Sequence, residues 1–429
     1  MNSFVSAPKP ADSSRPPARP RRRYVIFCRH LFTSRDWVRF GCDVFAARGY
    51  DVSVVQCGEA LEGMNLNALS RGAFQALPDA YTPRTRQELA EFLDTLSPTD
   101  LILALPALSR ESSWLYLAFA QRDLKFVRAS LAALPMGRNC RIVFRRSPWR
   151  GVICAVSALR HLLYRIKVRL KLIGEIGPAF FRLPAPLLWV RAGTWRQPFA
   201  DHSFKVNRSE VVSVEGFEVF WAKRATVAPD PRPAEPYAVF IDSALCHHPD
   251  FQIENIPVRL DEAAYFASLR TFFEKVERQF DLPVVISLHP KANYNPDEVE
   301  TLFGRRPVFI GTTPALIKNS ALTLQHQSTA TVISALYRKP ILFLTNDALE
   351  ATIIKADIES RSSWLDQPRI NLDAFMRNPD TAIPVPEVDE RIYRAFVEKF
   401  AIAPGAHDGP IWEKVADVFE ARSPLNTSI

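Results

Sequence analysis

Short apolar runs alternate with longer stretches of helical periodicity along most of the 429 residues. Tyr24–Cys28 and Asp51–Val55 read as strands, and Arg35–Arg48 between them reads as a helix closed by Gly49. A helix at Arg86–Leu96, a strand at Asp100–Leu105, a helix at Ser112–Arg122 and a strand at Leu124–Val127 continue the pattern. A second series opens with the strand Tyr237–Ile241 and the helix Asp261–Phe280. Strands at Val284–Leu288, Val308–Ile310, Ala321–Leu324 and Ile341–Leu344 follow. Helices at Glu387–Phe400 and Ile411–Ala421 end the chain and are expected to cross back onto the first series. The fold class expected is α/β, with two Rossmann-like doubly wound domains facing a cleft.

One stretch breaks this alternation. Between Arg145 and Arg196 there are eleven Lys or Arg against the single acid Glu175, a local +10 that leaves the rest of a +8 chain at −2. Val152, Val156, Leu159, Leu163, Ile166, Leu170 and Ile173 recur there at spacings of three and four, the stripe of an amphipathic helix. Arg160, Arg165, Lys167, Arg169 and Lys171 fall off that stripe. Two readings stand: a helix lying on an anionic membrane face, with Phe180, Phe181, Leu187, Leu188 and Trp189 as further apolar contacts, or a stripe packed on the protein's own core. Nucleic acid is not an expected partner, because no helix-turn-helix, zinc finger or aromatic RNA-binding motif accompanies the charge.

The organisation expected is a disordered basic tail (1–23), a first Rossmann-like domain (24–144), the basic helical insert (145–200), a linker (201–236), a second, ligand-binding Rossmann-like domain (237–385) and the terminal helices (386–429). The tail has no apolar segment of a signal peptide, and no apolar run reaches about 18 residues. Six cysteines without a CxxC pair suit a reduced protein, so a cytoplasmic location is expected, peripheral to the inner membrane if the basic helix docks there.

Candidate chemistry gathers where strands end, because ligands of open α/β sheets bind at carboxyl edges. His289-Pro290-Lys291 follows the run Val284–Leu288, and His289 can bind phosphate or act as an acid. Gln325-His326-Gln327 follows the next strand, with His326 placed for a base or ribose contact. Ser328 and Thr329 read as the cap of a helix reaching about Tyr337, a start that favours a phosphate. Thr312 and Thr313, after Gly311, form a similar turn. The loop Asp242–Asp250 carries Asp242, His247, His248 and Asp250, suited to acid/base work or, equally, to a capped turn. Arg29, His30 and Asp36 end the opening strand, where an acceptor would lie, although Asp36 also fits an ordinary first-turn acid.

GxGxxG, Walker A and GxSxG are all absent, which removes the usual support for dinucleotide oxidoreductases, P-loop kinases and α/β-hydrolases. No DxD spacing occurs, so the expected site is metal-independent and needs no cofactor, with phosphate charge met by Lys, Arg, His and backbone N–H groups.

HP after a strand of the second domain, then a Ser/Thr pair ahead of an "A…KP" strand, resembles the GT-B glycosyltransferases of bacterial capsule and lipopolysaccharide synthesis. The nearest are sialyl-, polysialyl- and Kdo-transferases and CDP-glycerol glycerophosphotransferases. The resemblance covers roughly Tyr237–Leu344. It implies a GT-B-like fold and donor-phosphate contacts by His289 and by Ser328 with Thr329. It also implies a nucleotide-sugar partner, expected to be CMP-linked, and a polysaccharide or lipid-linked glycan acceptor. The D/E-D/E-G triplet of the sialyltransferases is missing, so the resemblance assigns no base. His289, Asp242, His248 and Asp250 stand as catalytic candidates, and Lys291, Thr312, Thr313, His326, Ser328 and Thr329 as donor contacts. A CDP-glycerol-type glycerophosphotransferase, a UDP-sugar 2-epimerase-like enzyme and a non-catalytic polysaccharide-assembly scaffold are the alternatives.

Overall fold

In a computed structural model, the structure describes residues 22–66, 77, 79–132, 134–135, 163, 166–167, 169–195, 208–225, 233, 236–246, 258–290, 294–295 and 297–422. Residues 1–21 of the basic tail, Val152, Val156, Leu159, Arg160, Arg165, His247, His248, Asp250 and Lys291 lie outside these residues, whereas Arg23 opens the first strand.

Two parallel six-stranded sheets carry the chain. The first holds β1 (Arg23–Cys28), β2 (Asp51–Gln56), β3 (Leu101–Ala104), β4 (Phe126–Ser130), β5 (Leu188–Ala192) and β6 (Glu210–Val214) in the order β2-β1-β3-β4-β5-β6. Alternate residues feed opposite cores: Val25, Phe27, Ile102 and Phe126 pack on one face, and Tyr24, Ile26, Leu103 and Val127 on the other. The second sheet holds β7 (Ala238–Ile241), β8 (Val284–Leu288), β9 (Val308–Ile310), β10 (Leu322–Gln325), β11 (Ile341–Thr345) and β12 (Arg369–Asn371) in the order β12-β11-β10-β7-β8-β9. Connections leave β7 in opposite directions, to β8 on one side and to β10 through a later crossover. The crevice beyond the ends of β7 and β10 is therefore the topological switch point. Two Rossmann-like domains face one cleft in the GT-B-like manner.

The region read as basic insert and linker differs from expectation. β5 and β6 belong to the first sheet, so Leu188 and Trp189, expected on a membrane, are 0% and 1% exposed within it. Phe180 packs against the core beside Leu172 and Ile176, and Leu187 packs on the opposite face. Of the expected apolar stripe, the described Leu163, Ile166 and Leu170 face outward at 56%, 46% and 63% exposed, and Phe181 is 64% exposed. At about 100° per residue, Leu172 lies half a turn around the helix from Leu163, which lets it anchor the helix while the stripe stays in solvent.

The single helix expected at Arg35–Arg48 is two, Ser34–Arg39 and Cys42–Ala47, broken at Gly41. Gly41 has φ +67°, and a Cβ there would lie 2.2 Å from the Trp412 ring, so the break makes room for the last helix, Ile411–Glu420. That helix crosses onto the first domain, burying Ile411, Trp412, Val415, Ala416 and Phe419 in its core, with Trp412 Nε1 donating to Arg39 O at 2.8 Å. The preceding helix, Glu390–Phe400, stays on the second domain through Tyr393, Phe396 and Phe400.

Candidate active site in the interdomain cleft

Strand ends of the second sheet, the helix Ser34–Arg39 of the first domain and the crossing helix Phe217–Arg224 enclose a cavity of 320 Å³. Arg35, Asp36 and Arg39 form the first-domain wall. Asp242, Ser243, Ser287, His289 and Pro290 come from the ends of β7 and β8, and Thr313, Gln327, Ser328, Thr329 and Arg361 from the elements around β10. Trp221 and Ile333 supply apolar surface. The size and the mixed lining suit a small polar ligand.

Asp242 is 2% exposed and organises the second-domain floor. Its Oδ1 accepts from Ala244 N at 2.9 Å and from the Tyr294 hydroxyl at 3.3 Å, and its Oδ2 accepts from His289 N at 3.4 Å. The carboxylate therefore fixes the turn that presents His289, which lines the cavity half-buried. Burial, reinforced by Asp242, pushes the Tyr294 hydroxyl far up, so it stays a donor.

Arg361 is the unexpected member. It sits on the helix Ile354–Leu365, is 6% exposed, and donates from Nη1 to Ser328 O at 3.2 Å. Its Nε has no hydrogen-bond partner among the described residues. Burial lowers its pKa to about 10, against the opposing effect of Asp357, so the guanidinium remains charged at neutral pH. Gln327 Oε1, on the same wall, is likewise buried without a partner among the described residues. A buried cation and an amide oxygen on one cavity wall, each with an atom lacking a partner among the described residues, are groups that a phosphate and a hydroxyl-bearing ligand can engage.

Several expected residues take other roles. His326 is 0% exposed: its Nδ1 donates to Leu344 O at 2.9 Å, which leaves Nε2 to accept from the Tyr265 hydroxyl at 2.9 Å. Burial lowers its pKa to about 4, and with both nitrogens engaged it has nothing to offer a base or ribose. The helix expected to start at Ser328 begins at Thr331 and runs only to Leu336. Ser328 Oγ accepts from Ala330 N at 3.2 Å, so Ser328 and Thr329 are a turn on the cleft wall and not the cap itself. Thr313 lines the cleft with its hydroxyl 2.8 Å from Ser287 Oγ, whereas Thr312 does not line it. Arg29 is drawn to Glu62 at 2.6 Å, and neither it nor His30 lines the cavity. Asp36 does line it, but its Oδ2 accepts from Thr33 N at 3.0 Å and Thr33 Oγ1 at 2.7 Å, a capping box.

Arg39, Glu218, Trp221 and Arg361 were not singled out from sequence. The one available signal for Glu218 was the Val-rich alternation of Glu210–Val214, which marks a strand and hence a strand end just before it.

No protein-family model and no curated protein matches this chain. Among solved structures, the Staphylococcus aureus MnaA–UDP complex is similar over 94% of this chain and 97% of that one, at 14% identity and a TM-score of 0.44. The spinosyn forosaminyltransferase SpnP is similar over 94% and 100%, at 14% identity and a TM-score of 0.44. The UDP-GlcNAc 2-epimerase of Neisseria meningitidis bound to UDP-GlcNAc is similar over 94% and 100%, at 12% identity and a TM-score of 0.42. These are likenesses of chain path, and nothing about the site follows from them.

Proposed function

We infer that the protein is an enzyme acting on a nucleotide-activated sugar, and that it transfers the sugar to a hydroxyl acceptor. The observation that carries this is Arg361, a buried guanidinium on the wall of the switch-point crevice with Arg35 and Arg39 across the cleft. A leaving nucleotide phosphate develops negative charge, and a fixed, poorly solvated cation stabilises that charge more than a solvated one does. His289, oriented through its backbone by Asp242, stands beside the same space. The nucleotide sits on the second domain in this reading, and the acceptor enters from the Arg35–Arg39 side.

A CMP-linked donor and a bacterial surface-glycan acceptor are supported by the HP and Ser/Thr motifs alone. A seat on the cytoplasmic face of a membrane is supported by the exposed stripe Leu163, Ile166, Leu170 and Phe181, with Lys167, Arg169 and Lys171 exposed beside it. No helix among the described residues is long and apolar enough to cross a membrane.

The test is a thermal-shift panel of CMP, UDP, GDP and CDP followed by incubation with the matching sugar and glycerol conjugates. A ligand at 100 times its Kd stabilises a folded protein by about 2.7 kcal/mol, and one nucleotide should stand out in this way. Glycoside formation with nucleotide release supports transfer, whereas an epimer or a glycerophosphate product moves the protein to those classes. No shift with any nucleotide leaves the non-catalytic scaffold.

A further inference from the structure

Three carboxylates among the described residues line the cleft, and two are committed elsewhere. Asp36 is held by its capping box, and Asp242 accepts three hydrogen bonds. Glu218 differs from both. It is 5% exposed, yet no hydrogen bond or ion pair reaches its carboxylate among the described residues. Neither of its oxygens is sealed away from the cavity, so the carboxylate on the wall stays available to a ligand there.

Its mounting is rigid. Glu218 lies in the first turn of Phe217–Arg224, the helix that leaves β6 and carries the chain toward the second domain. Gly216 N donates to Ala401 O at 2.8 Å and Phe217 N to Leu131 O at 3.1 Å, which pins the helix start to both sides of the molecule. The Arg39 guanidinium stacks 5.5 Å from the Phe217 ring, so the cleft wall bearing Arg39 moves with this turn. A general base for transfer to an acceptor hydroxyl has to be fixed within reach of that hydroxyl, and a carboxylate on the cleft wall can fill the role.

We propose that Glu218 is the general base of the cleft, accepting the proton of the acceptor hydroxyl. The inference rests on the nucleotide-sugar reading above. In the step, the acceptor oxygen forms a bond to the anomeric carbon while the bond from that carbon to the phosphate oxygen breaks. The electron pair of the broken bond stays on the phosphate, beside Arg361. The hydroxyl proton passes to the Glu218 carboxylate and then to water, which restores the base.

The experiment uses full-length Glu218→Gln and Glu218→Asp, with UDP and CMP as binding probes and UDP- and CMP-sugars as donors. The Gln variant should bind the wild-type nucleotide within about 3-fold, which also reports that it folds, while kcat falls roughly 100-fold or more. The acidic limb of the kcat/KM profile should vanish in the Gln variant, and the Asp variant should recover part of the rate and that limb. Unchanged turnover and pH profile in the Gln variant overturn the base assignment while leaving the nucleotide-sugar reading intact. Nucleotide binding without turnover of any donor by the wild type overturns the assignment too. Absence of nucleotide binding by the wild type defeats the reading itself.

Discussion

Arg361 carries opposite consequences for stability and for binding. Its pKa, lowered from the usual arginine value to about 10, means that keeping the charge buried at neutral pH costs the ligand-free protein on the order of 3 kcal/mol. For a cation whose folded pKa is depressed, the cost is present below the folded value and fades only as pH rises above it. Arg361→Met should therefore melt no lower than the wild type without ligand, yet lose the shift given by the wild type's nucleotide, with affinity down about 10- to 100-fold. A variant that melts several degrees lower but binds unchanged would make Arg361 a packing residue. His326 shows the same sign in a testable window. Its folded value of about 4 lies below the usual 6.5, so the unfolded chain takes up the proton first, and stability present above pH 6.5 is lost as pH falls toward 4. The loss should be on the order of 2 kcal/mol by pH 5, and urea melts of His326→Gln at pH 7 and pH 5 should show a smaller difference than the wild type. Neither residue's role was legible in sequence: His326 sits at a strand end like any ligand-binding histidine, and only the Tyr265 hydroxyl 2.9 Å away shows it to be internal.

Elements were legible where a run of apolar residues marks them, whether the strand is buried like Val284–Leu288 or lies at an edge like Val308–Ile310, whose Ile310 is 59% exposed. Val284–Leu288 and Val308–Ile310 are where their apolar runs put them, and the opening βαβ unit follows its pattern to within a residue at the strands. β5 was missed because an apolar run inside a strongly basic segment also fits a membrane contact, and only its pairing with β4 and β6 decides between the two. β12, three residues of Arg-Ile-Asn, has no apolar run to read. Glu218 and Arg361 were hidden for a related reason: each lies on a helix, and which face of a helix meets the cleft is set by docking and not by spacing. The exposed stripe gives the prediction at this scale. The full-length protein should float with vesicles containing phosphatidylglycerol and lose that association in high salt. Leu163→Glu with Leu170→Glu should abolish flotation without changing the melting midpoint, because both side chains are more than half exposed. Equal flotation with neutral phosphatidylcholine vesicles, or none with either, would remove the membrane seat.

At the scale of the whole molecule, the first domain meets the second through backbone contacts that leave no room for a side chain. Thr194 N donates to Glu398 O at 3.2 Å and Trp195 N to Lys399 O at 2.7 Å. Gly193, with φ +62°, lets the strands of chain approach: a Cβ there would lie 2.5 Å from Lys399 O and 2.7 Å from Phe400 C. Trp195 then packs with its ring centroid 5.6 Å from Phe400 and 6.3 Å from Trp364, and Trp364 is on the helix that bears Arg361. The position of the buried guanidinium is thus tied to the way the two domains meet. Gly193→Ala adds a left-handed backbone penalty and a clash with main chain, together at least about 2 kcal/mol. At roughly 2–4 °C per kcal/mol the melting midpoint should drop by several degrees. The nucleotide should also bind more weakly, although Gly193 does not line the cavity. Small-angle scattering of the variant with and without nucleotide completes the test, because a loosened junction should leave the free protein more extended and the ligand should compact it. A variant that melts lower yet keeps wild-type affinity and dimensions would show that Arg361 is held by its own domain alone, and that the Trp195–Trp364–Phe400 cluster serves stability without setting the site.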